Sequence, residues 1–291
     1  MESLRIHWAA HFPGRYTVKG CQKRRGEIKD ERIGQTGKRA LLVEGTDDVS
    51  FFRILLTRKL SANWENDWVL AHAGNKRTVT DILEQEEDWL GIIDRDEWAD
   101  DVIASKEVEL ENLFVLPRFC IESYAVDPDE LWEAIPQKIR GKVAGGLASL
   151  ESDIMRDNGK WLRHGVLWSE INPLWSGLRS LGFKEKLLDF DVSQEDHIIT
   201  ETLNEWHGYL EPERIFQRFT NNLSQASRLP VKEQLHRCIH GKQFFLEHVH
   251  PVLNKYFGQN DAQSRMMEIL RSRALPEDLE PLWKRIMNVE A

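Results

Sequence analysis

Two short aliphatic runs in this chain close on acids. One is Leu41-Leu42-Val43-Glu44-Gly45, with Thr46-Asp47-Asp48 after it; the other is Gly91-Ile92-Ile93-Asp94-Arg95-Asp96. Unbroken apolar runs of this length, bounded by turn residues, read as strands buried on both faces, as in a parallel sheet. Ligands of such sheets bind beyond the carboxyl ends of the strands. Glu44, Asp94 and Asp96 are therefore expected at one edge of the fold. Three carboxylates there form a hard, oxygen-rich set suited to Mg²⁺, or to Mn²⁺. That donor set points to phosphodiester chemistry.

The surrounding pattern supports the sheet. Strands are expected at Arg39–Glu44, Trp68–Ala71, Trp89–Ile93 and Asn112–Leu116, with helices at Asp48–Leu60 and Thr78–Glu87 and a turn at Gly74. Strands alternating with helices imply an α/β fold with a central parallel sheet flanked by helices. The character changes after Asp127-Pro128. Asp129–Ile135 looks helical, and the remainder of the chain is rich in Leu, Glu, Arg and Trp with few β-branched runs. The expected organisation is a basic extension over 1–37, an α/β domain over 38–128 and a mainly α-helical region over 129–291. Breaks in the helical region are expected near Gly145-Gly146, Asn172-Pro173, Glu211-Pro212, Leu229-Pro230 and His250-Pro251.

The chain has 291 residues, of which 41% are apolar and 30% charged, enough to build a folded core. No apolar run approaches the roughly 18 residues of a membrane span, and no signal-peptide core is expected at the N-terminus. Three scattered cysteines, Cys21, Cys120 and Cys238, fit a reducing compartment, most simply the cytoplasm. The net charge of −9 excludes a surface coated in basic residues. Nucleic-acid affinity then depends on local patches. Lys19–Arg39, with eight basic residues against three acidic, is one. The competing reading is a solvated, poorly ordered leader, which is favoured.

In a strand, residues two apart point the same way, so Asp94 and Asp96 converge if the strand end stays extended. Glu44 arrives from a neighbouring strand, and Gly45 permits a tight turn after it. Asp48 serves equally well as a helix cap. Lys76, after Gly74-Asn75, is either a phosphate ligand at a helix start or, the favoured reading, a solvated lysine. Trp161, Trp168 and Trp175 recur every seven residues. Core packing is favoured over base stacking, and Gly165 and Pro173 are expected to prevent one helix from carrying all three. His236 and His240 stand four apart, yet no Cys-x-x-Cys or His-Glu-x-x-His accompanies them, which speaks against zinc. No complete phosphate-binding loop is present, so any ATP hydrolysis would belong to a partner.

These motifs resemble the toprim domain of topoisomerases, primases and several nucleases. Glu44 matches its strand-end glutamate, Asp48 the acid opening the next helix, and Asp94 and Asp96 its Asp-x-Asp pair. Leu116-Pro117-Arg118-Phe119-Cys120-Ile121-Glu122-Ser123-Tyr124-Ala125-Val126-Asp127-Pro128 is similar to an Arg-x-x-Ile-Glu-Asn-Tyr-Leu-x-Asp-Pro element of a toprim family found beside ABC-type ATPases. Ser123 departs from the Asn common there. Gly241-Lys242 and Leu275-Pro276-Glu277-Asp278-Leu279 also fit that family, so the likeness spans about Lys38 to Ile286. The resemblance implies a Mg²⁺-dependent endonuclease like the effectors of PARIS-type anti-phage defence. Such an effector is held silent by an ABC-type ATPase and cleaves transfer RNA once released. It further implies Glu44, Asp94 and Asp96 as metal ligands, with Asp48, Glu122 and Lys242 completing the catalytic set. Glu122 has a second reading, an ion pair with Arg118, and Lys242 a second reading as part of a helix cap. A homodimer is expected of the active form, because one acidic subunit offers few phosphate-binding stretches. The alternatives are a non-catalytic sensor module of an ATPase complex and a DNA-nicking nuclease of the overcoming-lysogenisation-defect type.

Overall fold

The computed structural model describes residues 18–183 and 185–287. Four strands, β1 (Arg39–Val43), β2 (Trp68–His72), β3 (Leu90–Ile93) and β4 (Leu113–Val115), form one parallel sheet in the order β2-β1-β3-β4. Side chains alternate across a strand, and here both faces are covered. Ala40, Leu42, Ala71, Ile93, Leu113 and Val115 pack in one cluster; Leu41, Val43, Leu70, Leu90, Ile92 and Phe114 pack in another. This two-sided burial explains why the strand sequences are continuous aliphatic runs.

Helices α1 (Val18–Glu27), α2 (Thr46–Leu60), α3 (Lys76–Leu83) and α4 (Asp100–Glu109) flank the sheet. Helix α3 lies so close to β3 that a Cβ on Gly91 would come within 2.7 Å of Val79 Cγ1. Glycine is required there by proximity. Beyond β4 the chain is helical: α5 (Pro128–Ala134), α6 (Gln137–Arg140), α7 (Gly146–Met155), α8 (Asn158–Ser180), α9 (Asp196–Tyr209), α10 (Pro212–Ala226), α11 (Val231–Glu233), α12 (Gly241–Phe244), α13 (His250–Phe257), α14 (Ala262–Ser272) and α15 (Glu280–Met287). One buried cluster joins this part to the sheet, from Leu41 and Phe52 through Leu131 and Phe244 to Trp283, and so crosses the boundary expected at 128/129. Arg58 on α2 reinforces the junction, donating to the Leu270 carbonyl at 2.6 Å and the Arg273 carbonyl at 2.7 Å. Among the described residues no helix is long and apolar enough to cross a membrane.

Three expectations need correction. The basic stretch is no loose leader from Val18 onward: α1 runs into a π-helical turn at Ile28–Ile33, and Cys21 and Ile28 are buried against Val79, Ile82 and Leu83. Several of its cations are already partnered. Arg24 donates to the His72 carbonyl at 2.7 and 2.9 Å, Lys29 pairs with Glu86 at 2.6 Å, and Arg25 pairs with the same carboxylate. The rest of the leader, residues 1–17, lies outside the described residues. Secondly, α8 passes through both Gly165 and Pro173 as one helix. A mid-helix proline costs roughly 3 kcal/mol, and buried Leu162, Val166 and Leu178 anchor the helix on either side of it. Gly165 marks a close approach, since a Cβ there would lie 2.9 Å from the His240 nitrogen. The three tryptophans then split: Trp161 packs on Phe244, Trp168 on Phe119 and His240, and Trp175 is 56% exposed. Thirdly, the expected break at His250-Pro251 is absent, because the π-helical turn Phe245–Val249 continues directly into α13, and Pro251 falls in the first turn of that helix, where its fixed φ is tolerated.

Candidate metal centre

The carboxyl ends of β1 and β3 are adjacent, because the strands pair directly. Glu44 follows β1, and its Oε1 accepts the backbone N–H of Asp94 at 2.9 Å, tying the two strand ends together. Asp94 follows β3, and its Oδ1 accepts the N–H of Ile121 at 3.2 Å. Asp96 does not continue the strand. Its φ is +51°, a left-handed conformation, and its N–H donates to the Phe119 carbonyl at 2.8 Å. Aspartate tolerates that region better than most residues. The two acids therefore reach the same cleft through a turn and not through an extended strand.

That cleft, about 330 Å³, is lined by Glu44, Asp48, Asp94, Asp96, Glu122 and Lys242, with Gly45, Thr46, Asp47, Gly74, Phe119, Cys120 and His240 completing the wall. All six residues singled out from sequence thus meet in one place. Asp48 stands in the first turn of α2, where its Oδ2 accepts the Gly45 N–H at 2.7 Å; it is at once one half of a cap and a cleft residue. Glu122 lies in a 3₁₀ turn, Ile121–Ala125, after β4 and is buried. Its neighbour is Lys242, Nζ to Oε1 3.8 Å, and not Arg118, which pairs with Glu130 at 2.7 Å and Asp278 at 2.8 Å. Lys242 reaches Glu122 because Gly241 lets α12 sit on the 3₁₀ turn: a Cβ on Gly241 would come within 2.8 Å of Cys120 Sγ and 3.0 Å of the Ser123 nitrogen.

Lys76 is the residue that sequence reasoning undervalued. It is not solvated. Its side chain is 17% exposed, with Nζ 2.9 Å from Asp96 Oδ2, 3.4 Å from the Arg95 carbonyl and 4.5 Å from the Trp98 ring centre. Asn75 caps α3 by accepting the Thr78 N–H at 2.9 Å, which fixes where Lys76 begins the helix. A signal was available: Lys76 follows β2 at the same sheet edge where Glu44 and Asp94 follow theirs.

The cleft concentrates negative charge away from water. Burial pushes the Glu44 carboxyl up to about 7, Lys76 pulls it the other way, and Asp96 adds to the rise. Asp94 is held well above the usual carboxylate range by burial and then by Asp48, Asp96, Glu44 and Glu122. Burial also raises Asp48 and Glu122. For Lys76 burial favours the neutral amine, but Asp96 and Glu44 outweigh it and the ammonium is held. Such an environment favours a bound cation.

The donors suit Mg²⁺ in kind, being carboxylate oxygens. They are more widely set than a closed coordination shell, for among the described residues the one trio of possible ligand atoms within 4.8 Å of one another is Asp127, Glu130 and His236. Mg²⁺ accepts a wide set, since it binds through one or two carboxylates and keeps several waters. The tighter trio is occupied by protein cations. Glu130 pairs with Arg118 at 2.7 Å, Arg273 at 2.9 Å and Lys232 at 3.6 Å, while Asp127 caps α5 and faces His236 at 3.3 Å. A metal there would meet fixed positive charge. The remaining histidines are dispersed: His240 caps α12, His248 bonds to the Ile154 carbonyl at 2.9 Å, and His250 to that of Asn260 at 2.9 Å. No shared zinc site forms from them. In comparisons with family models, curated proteins and solved structures, the chain has no match.

Proposed function

We propose that this chain is a divalent-metal-dependent endonuclease with a toprim-type site. One observation carries the reading. Glu44, Asp94 and Asp96 each commit one carboxylate oxygen to a protein contact and line the same cleft, with no protein hydrogen bond on the other oxygen among the described residues. Glu44, Asp94 and Asp96 would hold Mg²⁺ or Mn²⁺, one or two of them directly and the rest through bound water, and the ion when bound supplies Lewis-acid stabilisation of the charge that develops on a phosphodiester. Glu44 keeps Oε2 turned to the cleft, since Oε1 is held by the Asp94 N–H, and burial pushes its carboxyl up to about 7 in the metal-free chain, so taking up a cation there would release a proton. Asp48 and Glu122 orient the cleft, and Lys242 offers an ammonium to a substrate phosphate at its mouth.

The substrate, setting and partner rest on the family resemblance. We assign RNA, specifically transfer RNA, as substrate, an ABC-type ATPase as the partner that silences the effector in anti-phage defence, a homodimer as the active form and the cytoplasm as its place. The test is cleavage of total RNA and of plasmid DNA by the purified chain, with Mg²⁺ or with a chelator. RNA should be cut only with metal, and the folded Glu44→Ala variant should be inert. Metal-independent cleavage, or a fully active Glu44→Ala protein, would refute the assignment.

A further inference from the structure

The wall of the metal cleft is not all acid. Phe119 and His240 line it beside the carboxylates. The Trp168 ring stands edge to face against both, 5.5 Å from Phe119 and 4.6 Å from His240 between centres. Phe119 is fully buried, whereas Trp168 is only half-buried and His164, one turn earlier on α8, is exposed. Residues four apart share a helix face, so His164, Trp168 and Asn172 form one row. Both ends of that row reach the cleft. His164 faces His240 at 6.4 Å between ring centres, and Asn172 donates to Oε2 of Glu97, the residue after Asp96, at 3.2 Å. Trp168, between them, stands at the rim of the cleft with part of its ring in water. The other two tryptophans of the series do not share this place: Trp161 packs on Phe244 and Trp175 on Phe183.

We infer that Trp168, with His164 beside it, is a stacking surface for an unpaired base of the substrate strand next to the scissile phosphate, so that the site takes single-stranded or looped RNA in preference to duplex. This rests on the nuclease reading above and adds the state of the strand. The two halves of a nucleotide ask for different chemistry. Its phosphate needs cations, and Lys242, two residues beyond His240 and with its side chain 54% exposed, offers one. Its base needs a flat apolar face, and an aromatic ring supplies one whatever the base. The acidic cleft and the aromatic rim lie side by side here. In a duplex the bases are stacked on one another and paired, so the ring has no free face to meet.

Fluorescence anisotropy of a labelled single-stranded RNA, and of the same RNA annealed to its complement, separates the two strand states on the full chain in chelator, where no metal takes part. Wild type should bind the single strand more tightly than the duplex. Trp168→Leu, which keeps an apolar contact with Phe119 but no ring, should weaken single-strand binding about 5- to 150-fold, the worth of one stacked base, and leave duplex binding unchanged. The slope of log affinity against log salt should stay the same, because no phosphate contact is lost. Trp168→Phe should retain most of the affinity. Duplex bound as tightly as single strand by wild type, or wild-type affinity for the single strand in a folded Trp168→Leu, would overturn the inference and leave the metal reading intact. If Trp168→Leu does not fold, as judged by circular dichroism, the exposed His164→Ala takes its place: a loss of at least about fivefold is expected, and an unchanged affinity refutes the stacking surface. A wild type that binds the single strand in this way yet cuts no RNA with Mg²⁺ would overturn the nuclease reading, not the stacking surface.

Discussion

Metal-free protein should lose stability as the pH is raised from 5 to 8, the reverse of the acid sensitivity of most proteins. The cause is Glu44. Its carboxyl moves from an ordinary 4.5 to about 7 in the folded chain, so between those values the folded state holds more protons than the unfolded one. Stability then falls with rising pH through that window and levels off above it. At about 1.4 kcal/mol per pH unit the shift corresponds to about 3 kcal/mol. For a chain of this size that is on the order of 5–10 °C in melting temperature. Asp94, also raised, acts with the same sign; His240, lowered by burial, acts with the opposite sign and offsets part of the slope. The assay is a thermal melt in chelator across pH 5–8 for wild type and Glu44→Gln. The variant should melt higher at pH 8 and show a flatter profile. Mg²⁺ should raise the melting temperature more at pH 8 than at pH 5, because it binds the deprotonated carboxylates. A flat wild-type profile in chelator, or an undiminished slope in Glu44→Gln, would refute the argument.

Gly241→Ala should destabilise by about 1–3 kcal/mol through overpacking against Cys120 and Ser123 and should weaken cleavage by moving Lys242. Gly208→Ala, at a helical position with nothing within 4 Å, should stabilise by about 0.5–1 kcal/mol; chemical denaturation measures both. Arg118→Met strips half-buried Glu130 of a bidentate partner, at 2.7 and 2.8 Å, but leaves it Arg273 and Lys232, and should cost about 1.5–3 kcal/mol. Provided it still folds, the number of Mn²⁺ ions it binds in a titration should equal that of wild type, as expected if the Asp127, Glu130 and His236 trio is structural.

The strands and the acids at their ends were legible because both are local. Leu41–Val43 and Leu90–Ile93 are buried on two sides, and Glu44 and Asp94 follow them directly. Helix α4 went unseen because none of its residues is buried and it carries no apolar stripe. Helix α1 was obscured for a related reason: it docks through Arg24, Arg25 and a few buried atoms, and the partners Glu86 and His72 are distant in sequence. The turn at Asp96 replaces the extended strand end that alternation implied, yet the convergence of the acids survives it. Lys76 was undervalued because a lysine at a helix start is usually solvated, and only the tertiary fold shows Asp96 and Trp98 closing around it. Pro173 misled because the proline rule holds for isolated helices, and α8 is packed on both sides of that residue.

Lys242 and His240 join the cleft from nearly two hundred residues beyond Glu44, across a junction that also buries Phe244. A ribosome reading this message therefore produces the sheet and most of its acids well before the basic wall that finishes the cleft. A nascent chain, or one cut short by a premature stop, carries Glu44, Asp94 and Asp96 without Lys242. Order of synthesis alone thus delays a complete site until the helical half has emerged and docked.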